Sequence, residues 1–170
     1  GRGTFAAAYL HYLDTENLDP LGVHVAAVEN APELYAQLER EYPEFAAMTY
    51  TFHLAHDLHH VLTGYGRDPL GEALLLTYNG NQSGTRGSRL LGMFAGLRIR
   101  SEIWQWPVGR MMANARKMAR ESTDMVVTDL TELLPLPLEE ARQRLNIQPD
   151  PLYREVRDSW AGPEPVSAKA

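Results

Sequence analysis

The 170-residue chain is 44% apolar and 22% charged, the balance of one globular domain with a core of its own. Its net charge of -6 argues against a nucleic-acid partner, because phosphate backbones are held by an excess of Lys and Arg. The absence of cysteine excludes disulfides, thiolate catalysis and Cys-ligated metal centres, and no apolar run is long enough to span a bilayer.

In chain order, the pattern FAAAYLHYL after Thr4 predicts a first helix that stops at the polar turn Asn17-Leu18-Asp19-Pro20. Residues 32–41 predict a second, opened by Pro32. Pro43 opens a long helix that runs through His56 and His60, and Phe45, Met48, Phe52 and Ala55 give it the apolar faces of a core helix. Gly64 suits a left-handed cap at its end, and Asp68-Pro69 suits the cap and first position of a further helix. That helix is expected to reach about Tyr78, to break between Asn79 and Gly87, and to be followed by another in which Gly92 and Gly96 suit close helix contact. Residues 129–147 predict a turn and a short helix, followed by a Pro-rich extension. The expectation is a single all-α domain over residues 1–161, with a disordered C-terminal tail over 162–170.

The stretch HDLHHVLTGYGRDPLGE, residues 56–72, carries the chemistry. A helix turns by about 100° per residue, so His56 and His60 stand about 40° apart, and Asp57 completes an arc of about 100°. Three side chains of metal-ligand type therefore share one helix face. A hairpin at Gly64 returns Glu72, in the first turn of the next helix, toward the two imidazoles. Two nitrogens and two carboxylates suit zinc, or iron or manganese with open positions, better than calcium, which takes oxygen ligands. The same HDxxH pattern can also be the polar face of an ordinary helix. His53 falls within the arc one turn earlier, as a neighbour able to hydrogen-bond the ligands, whereas His59 falls outside it.

Residues 98–120 hold Arg98, Arg100, Arg110, Arg116, Lys117 and Arg120 against Glu102 alone. Trp104, Trp106, Met111, Met112 and Met118 are interleaved with them, a mixture that suits an anionic membrane surface. The alternative is a core helix with a basic solvated face, and Pro107 and Gly109, which interrupt the helix, favour it.

The order His56-Asp57-Leu58-His59-His60, eleven residues, then Glu72 resembles the signature of the coenzyme Q biosynthesis protein 4 family. Gly3-Thr4 with Tyr9-Leu10 and Leu13-Asp14, the Leu70-Gly71 before Glu72, and the terminal LEEARQRLNI with its prolines are similar to that family in the same order, over about residues 3–152. The sequence departs from it at His53 and Leu54, where members often carry an arginine and an acidic residue, and the tract that precedes Gly3 in typical members is missing.

The resemblance implies an all-α fold and metal ligands at His56, Asp57, His60 and Glu72, with zinc as the divalent ion and iron or manganese as alternatives. It implies action late in ubiquinone synthesis on a polyprenylated aromatic acid, with the carboxyl at ring carbon 1 replaced by a hydroxyl. Asp57 or His53 would then act as acid or base. Zinc has no redox chemistry, so either the ion is iron or manganese, or dioxygen reacts directly with an electron-rich ring that the ion positions. For the prenyl tail, residues 73–78 and 88–100 with the Trp/Met segment offer an apolar route.

Implied partners are an anionic membrane surface, other ubiquinone-biosynthesis proteins and a second copy of the chain. The expected location is the cytoplasm, at the inner face of a bacterial membrane, or alternatively the matrix side of the mitochondrial inner membrane, since the sequence opens on Gly1 with no targeting pattern. Two other readings compete. One is a lipid-binding scaffold with a structural metal, whose site should be closed by four protein ligands. The other is an HD-type phosphohydrolase, which would need His24 and Asp124 as partners.

Overall fold

The computed structural model describes residues 3–84, 86–102 and 105–159, and among these it contains no strand. The fold is all-α, as expected from the sequence. Helix α1 (Phe5–Glu16) starts where Thr4 accepts the Ala7 N–H and ends at Asn17 in the left-handed conformation. Its start is pinned to a distant segment, because Phe5 N–H donates to the Leu136 carbonyl at 2.7 Å.

Helices α2 (Gly22–Asn30) and α3 (Pro32–Glu41) lie along α4 (Pro43–Thr63) with α1. Residues 22–30, which carry no helix signal in the sequence, form a helix without a side-chain cap and without a buried residue. Helix α4 is a core helix only in its second half. Asp57 and His59–Thr63 are buried, whereas Phe45 and Met48 are about half exposed, which corrects the expectation that they line the core. The reason is that α2 and α3, which flank that half, bury no side chain and offer little apolar cover.

Helices α5 (Pro69–Gln82), α6 (Arg86–Glu102) and α7 (Val108–Glu121) pack together as a three-helix unit. Helix α5 continues past the expected stop at Tyr78, through Asn79 and Gly80, both of which are buried. Tertiary packing overrides the weak propensity of those residues, and Gln82 anchors the extension by reaching Tyr78 Oη, Ser122 Oγ and the Thr123 carbonyl. Gly92 and Gly96 act as close-contact positions, as expected. A Cβ on Gly92 would lie 2.9 Å from Thr77 Oγ1, and one on Gly96 would lie 2.5 Å from Met112 Cε.

In α7 the residues Met111, Met112, Ala115, Met118 and Ala119 are buried while Arg110, Lys117 and Arg120 face solvent. The methionines therefore belong to the core and not to a membrane-facing mixture, and the segment is the core helix with a basic outer face. Trp106 packs half-buried against the core, and Trp104 lies outside the described residues. The tail route expected over 73–78 is also filled, since Ala73, Leu74, Leu75 and Tyr78 are core residues.

After a 3-10 turn at Leu130–Leu133 and helix α8 (Leu138–Arg144), the extension read as Pro-rich chain forms helix α9 (Pro151–Ser159). Pro151 is the first position of that helix, and Tyr153 and Val156 are its buried face. The expected tail at 162–170 lies outside the described residues. No helix among them is long and apolar enough to cross a membrane.

Candidate metal centre

The site is built on the α4–α5 hairpin, and local chemistry sets its geometry. Gly64, at φ 75°, ends α4 and returns its N–H to the His60 carbonyl at 2.9 Å. Arg142 of α8 takes up two more free carbonyls, those of Leu62 and Val61, at 2.9 and 2.8 Å. Asp68 caps α5 by accepting the Gly71 N–H at 2.9 Å, which places Glu72 in the first turn as the sequence predicts. Helix α9 holds the loop between them. Tyr153 Oη accepts the Gly66 N–H and donates to Asp68.

Around this hairpin His56, Asp57 and His60 each offer a ligand atom within 4.8 Å of the others, a group able to hold a metal ion. Glu72 faces the same two imidazoles, with Oε2 3.9 Å from His56 Nε2 and Oε1 3.5 Å from His60 Nε2. His56 Nδ1 lies 3.3 Å from Asp57 Oδ1. Asp57 and His60 are buried, His56 is half-buried, and the Glu72 side chain is 41% exposed, so the carboxylate forms the open rim.

The decisive detail concerns the two nitrogens of His60. Nδ1 donates to the Tyr65 carbonyl at 2.9 Å, which leaves Nε2 as the lone-pair nitrogen. Nε2 is buried and has no hydrogen-bond partner. A buried polar atom left unpaired costs about 1–3 kcal/mol, and a cation between it and the neighbouring carboxylates would satisfy it. The donor set fits a divalent transition ion or zinc on this ground.

His53 does not join the cluster. Its Nδ1 lies 3.3 Å from His24 Nδ1, in a small aromatic group with Tyr35 and Tyr50. Burial, then the His24 and His56 imidazoles, hold it below the usual histidine range. His24 is engaged by His53 and Asp124 accepts the Val126 N–H within its own loop, and neither residue belongs to the group His56, Asp57 and His60. His59 turns to the other flank of α4, as its angle predicts. Its Nδ1 lies 3.1 Å from Asn79 Oδ1, and burial, then the neighbouring His56 imidazole, pushes its pKa down to about 3.

Two tyrosines join the site that the sequence pattern does not place there. Tyr12 of α1 stacks on His60 with ring centroids 5.8 Å apart, and its buried hydroxyl has no hydrogen-bond partner. Burial, then Asp57, raises its pKa, so it stays a protonated donor beside the carboxylates. Tyr9 on the same helix is raised by burial and then Asp57. The only sequence signal for either was the Tyr9-Leu10 and Leu13-Asp14 stretch, in which nothing showed that α1 would lie against α4.

Fold and cluster together define an all-α protein with a histidine–carboxylate group of metal-ligand type on a helical hairpin. The chain matches the family model described as Coenzyme Q (ubiquinone) biosynthesis protein Coq4 over residues 1–151, and it belongs to that family. It is similar to the bovine (Bos taurus) protein named Ubiquinone biosynthesis protein COQ4 homolog, mitochondrial, with 25% identity over 150 residues. That similarity covers 88% of this chain and 52% of the relative, so the chain spans about half the length of the curated protein it matches. No solved structure matches.

Proposed function

We propose that this chain carries out metal-dependent oxidative decarboxylation of a polyprenylated 4-hydroxybenzoate-derived intermediate of ubiquinone synthesis: the bond from ring carbon 1 to the carboxyl breaks, the carboxyl leaves as carbon dioxide, a hydroxyl takes its place, and dioxygen is the two-electron oxidant, reduced to hydrogen peroxide. Membership of a coenzyme Q biosynthesis family supports the pathway. The observation that carries the chemistry is the unpartnered, buried His60 Nε2 beside Asp57, His56 and Glu72.

In this reading His56, Asp57, His60 and Glu72 hold the divalent ion, zinc by family resemblance, with iron or manganese as redox-capable alternatives. When bound, such a cation supplies Lewis-acid stabilisation of the negative charge on a carboxylated phenol. The protein's own side chains set the rest. Glu72, on the exposed rim, leaves the cluster open to a ligand. Tyr12, protonated and without a partner, is the donor for a substrate oxygen. Asp57, if it is free of the ion, or His53, held toward its neutral form one turn before His56 and 3.3 Å from His24, is the acid or base.

The test is incubation of metal-loaded protein with a prenylated 4-hydroxybenzoate analogue under air, with mass analysis of the product. Loss of the carboxyl group with gain of a hydroxyl is the expected result. An analogue that binds and is recovered unchanged would replace this reading by the lipid-binding scaffold.

The partner proposed for the chain as a whole is an anionic membrane surface, at the cytoplasmic face of a bacterial membrane or the matrix face of the mitochondrial inner membrane. Helix α6 supports this better than α7 does. It turns Gly92, Gly96 and Ile99 inward and leaves Leu90, Met93, Phe94 and Leu97 41–60% exposed. These four span an arc of about 100°, with the exposed Arg98 and Arg100 on its two edges. A helix apolar on both faces with a basic rim suits the interface of an anionic bilayer. Phe94→Glu with Leu97→Glu is expected to weaken co-sedimentation with phosphatidylserine-containing vesicles about tenfold or more. Unchanged sedimentation would remove α6 as the contact.

A further inference from the structure

The other flank of α4 carries a second site. Residues 48–59 of α4 and residues 125–131, which lead into the 3-10 turn, enclose a groove of about 560 Å³, within the range of small-molecule pockets. Phe52, Ala55, Leu58, Met125, Val126 and Leu130 form its apolar wall. Thr51, Thr128, Asp129 and Thr131 supply the polar part of the lining.

One group in this wall is out of keeping with it. His59 lines the groove, is fully buried, and stands edge-on to Phe52 with ring centroids 6.0 Å apart. Its Nδ1 is committed to the Asn79 carboxamide oxygen on α5, so Nδ1 donates and the lone pair remains on Nε2. Nε2 is buried and has no hydrogen-bond partner. In an apolar wall such an atom costs stability until something donates to it. An ion would be poorly served here: the wall is mainly apolar, and Asp129, the one charged residue of the lining, is exposed and already accepts the Thr131 N–H and O–H, so it offers no buried counter-charge. A neutral apolar molecule with one hydroxyl fits both demands: its body covers the aliphatic wall and its O–H reaches Nε2.

We propose that the groove between α4 and residues 125–131 is a binding site for a neutral, hydroxyl-bearing apolar ligand, a phenol or lipid alcohol, with His59 as the hydrogen-bond acceptor. The site is separate from the metal cluster. His59 and His60 are adjacent in sequence, but one is tied to Asn79 of α5 and the other to the Tyr65 carbonyl, on different sides of the helix. The inference stands whether or not the cluster performs the reaction proposed above.

Calorimetric titration of the full chain with 4-hexylphenol and with 4-hexylanisole tests it, since the two ligands differ by the O–H that the anisole lacks. The phenol is expected to bind about tenfold more tightly, the worth of one buried hydrogen bond. His59→Phe is expected to bring the two affinities together. Ala55→Trp, which fills the groove and leaves His59 in place, is expected to abolish both, and it serves if the His59 variant does not fold. Equal affinities in the unmodified protein would overturn the proposal, as would phenol binding that survives Ala55→Trp. Binding lost in His60→Ala but retained in Ala55→Trp would move the ligand to the metal cluster and also overturn it. Failure of the decarboxylation assay leaves these outcomes unaffected.

Discussion

Replacing His60 by alanine is expected to lower divalent-metal affinity by about a hundredfold or more, beyond the roughly 10–100-fold that loss of a ligand's hydrogen-bonding neighbour causes. His60 is the fixed point of the cluster. It is fully buried, its ring is oriented by the Tyr65 carbonyl and stacked on Tyr12, and its free nitrogen lies 3.5 Å from Glu72. The unmodified protein should carry about one ion per chain and gain about 2.7 kcal/mol of stability when free metal stands at a hundred times its dissociation constant. For a domain of this size that is a rise of about 5–10 °C in Tm. His60→Ala should show no such rise. Glu72→Gln, altered at the exposed rim, should keep the ion at reduced affinity. Equal metal content and equal thermal shift in the unmodified protein and in His60→Ala would show that the cluster is a polar helix face and nothing more.

What the sequence disclosed was the chemistry that acts over a few residues. Gly64 as a left-handed cap, Asp68 and Pro69 as a helix start, and the placing of His56, Asp57 and His60 on one arc all follow from local geometry, and all appear in the fold. Contacts that depend on remote elements were not legible. Tyr12 reaches His60 because α1 packs on α4, and the tie from His59 to Asn79 depends on how far α5 runs. The basic segment shows the same division. Met111, Met112, Ala115 and Met118 repeat at helical spacing, as a core face does, and Pro107 marks the interruption before α7, but only the packing against α5 shows that the methionines point inward. The apolar surface that does face outward, on α6, was hidden because its large residues lie opposite its glycines, and only the packing partner reveals which side is in. The groove beside His59 has the same character, since residues 125–131 are a loop and the start of a 3-10 turn, with no periodic pattern.

Gly71→Ala is expected to destabilise the protein more than a methyl added at Gly64 or Gly66 on the same hairpin. A Cβ there would lie 2.1 Å from the Gly66 carbonyl oxygen and 2.7 Å from Tyr153 Oη. The nearer atom belongs to the backbone, so no side-chain rotation relieves the overlap. The loop 64–68 would have to move as a body, against the Asp68 cap and the two hydrogen bonds of Tyr153. Overpacking of this kind costs about 3 kcal/mol or more, a fall of about 6–12 °C in Tm for a domain of this size. Gly71 precedes Glu72, so the shift should also carry the carboxylate away from His56 and His60 and weaken metal binding alongside stability. Gly109→Ala supplies the control: its Cβ would meet nothing within 4 Å, and Tm should stay within about 4 °C of the parent. Gly64→Ala lies between them. Its backbone sits at φ 75°, which costs an L-residue about 1–2 kcal/mol, and its nearest contact, Pro149 Cβ at 3.2 Å, is a side chain. If Gly71→Ala melts with Gly109→Ala and binds metal as the parent does, the α4–α5 loop is not the rigid frame that holds Glu72 to the two histidines.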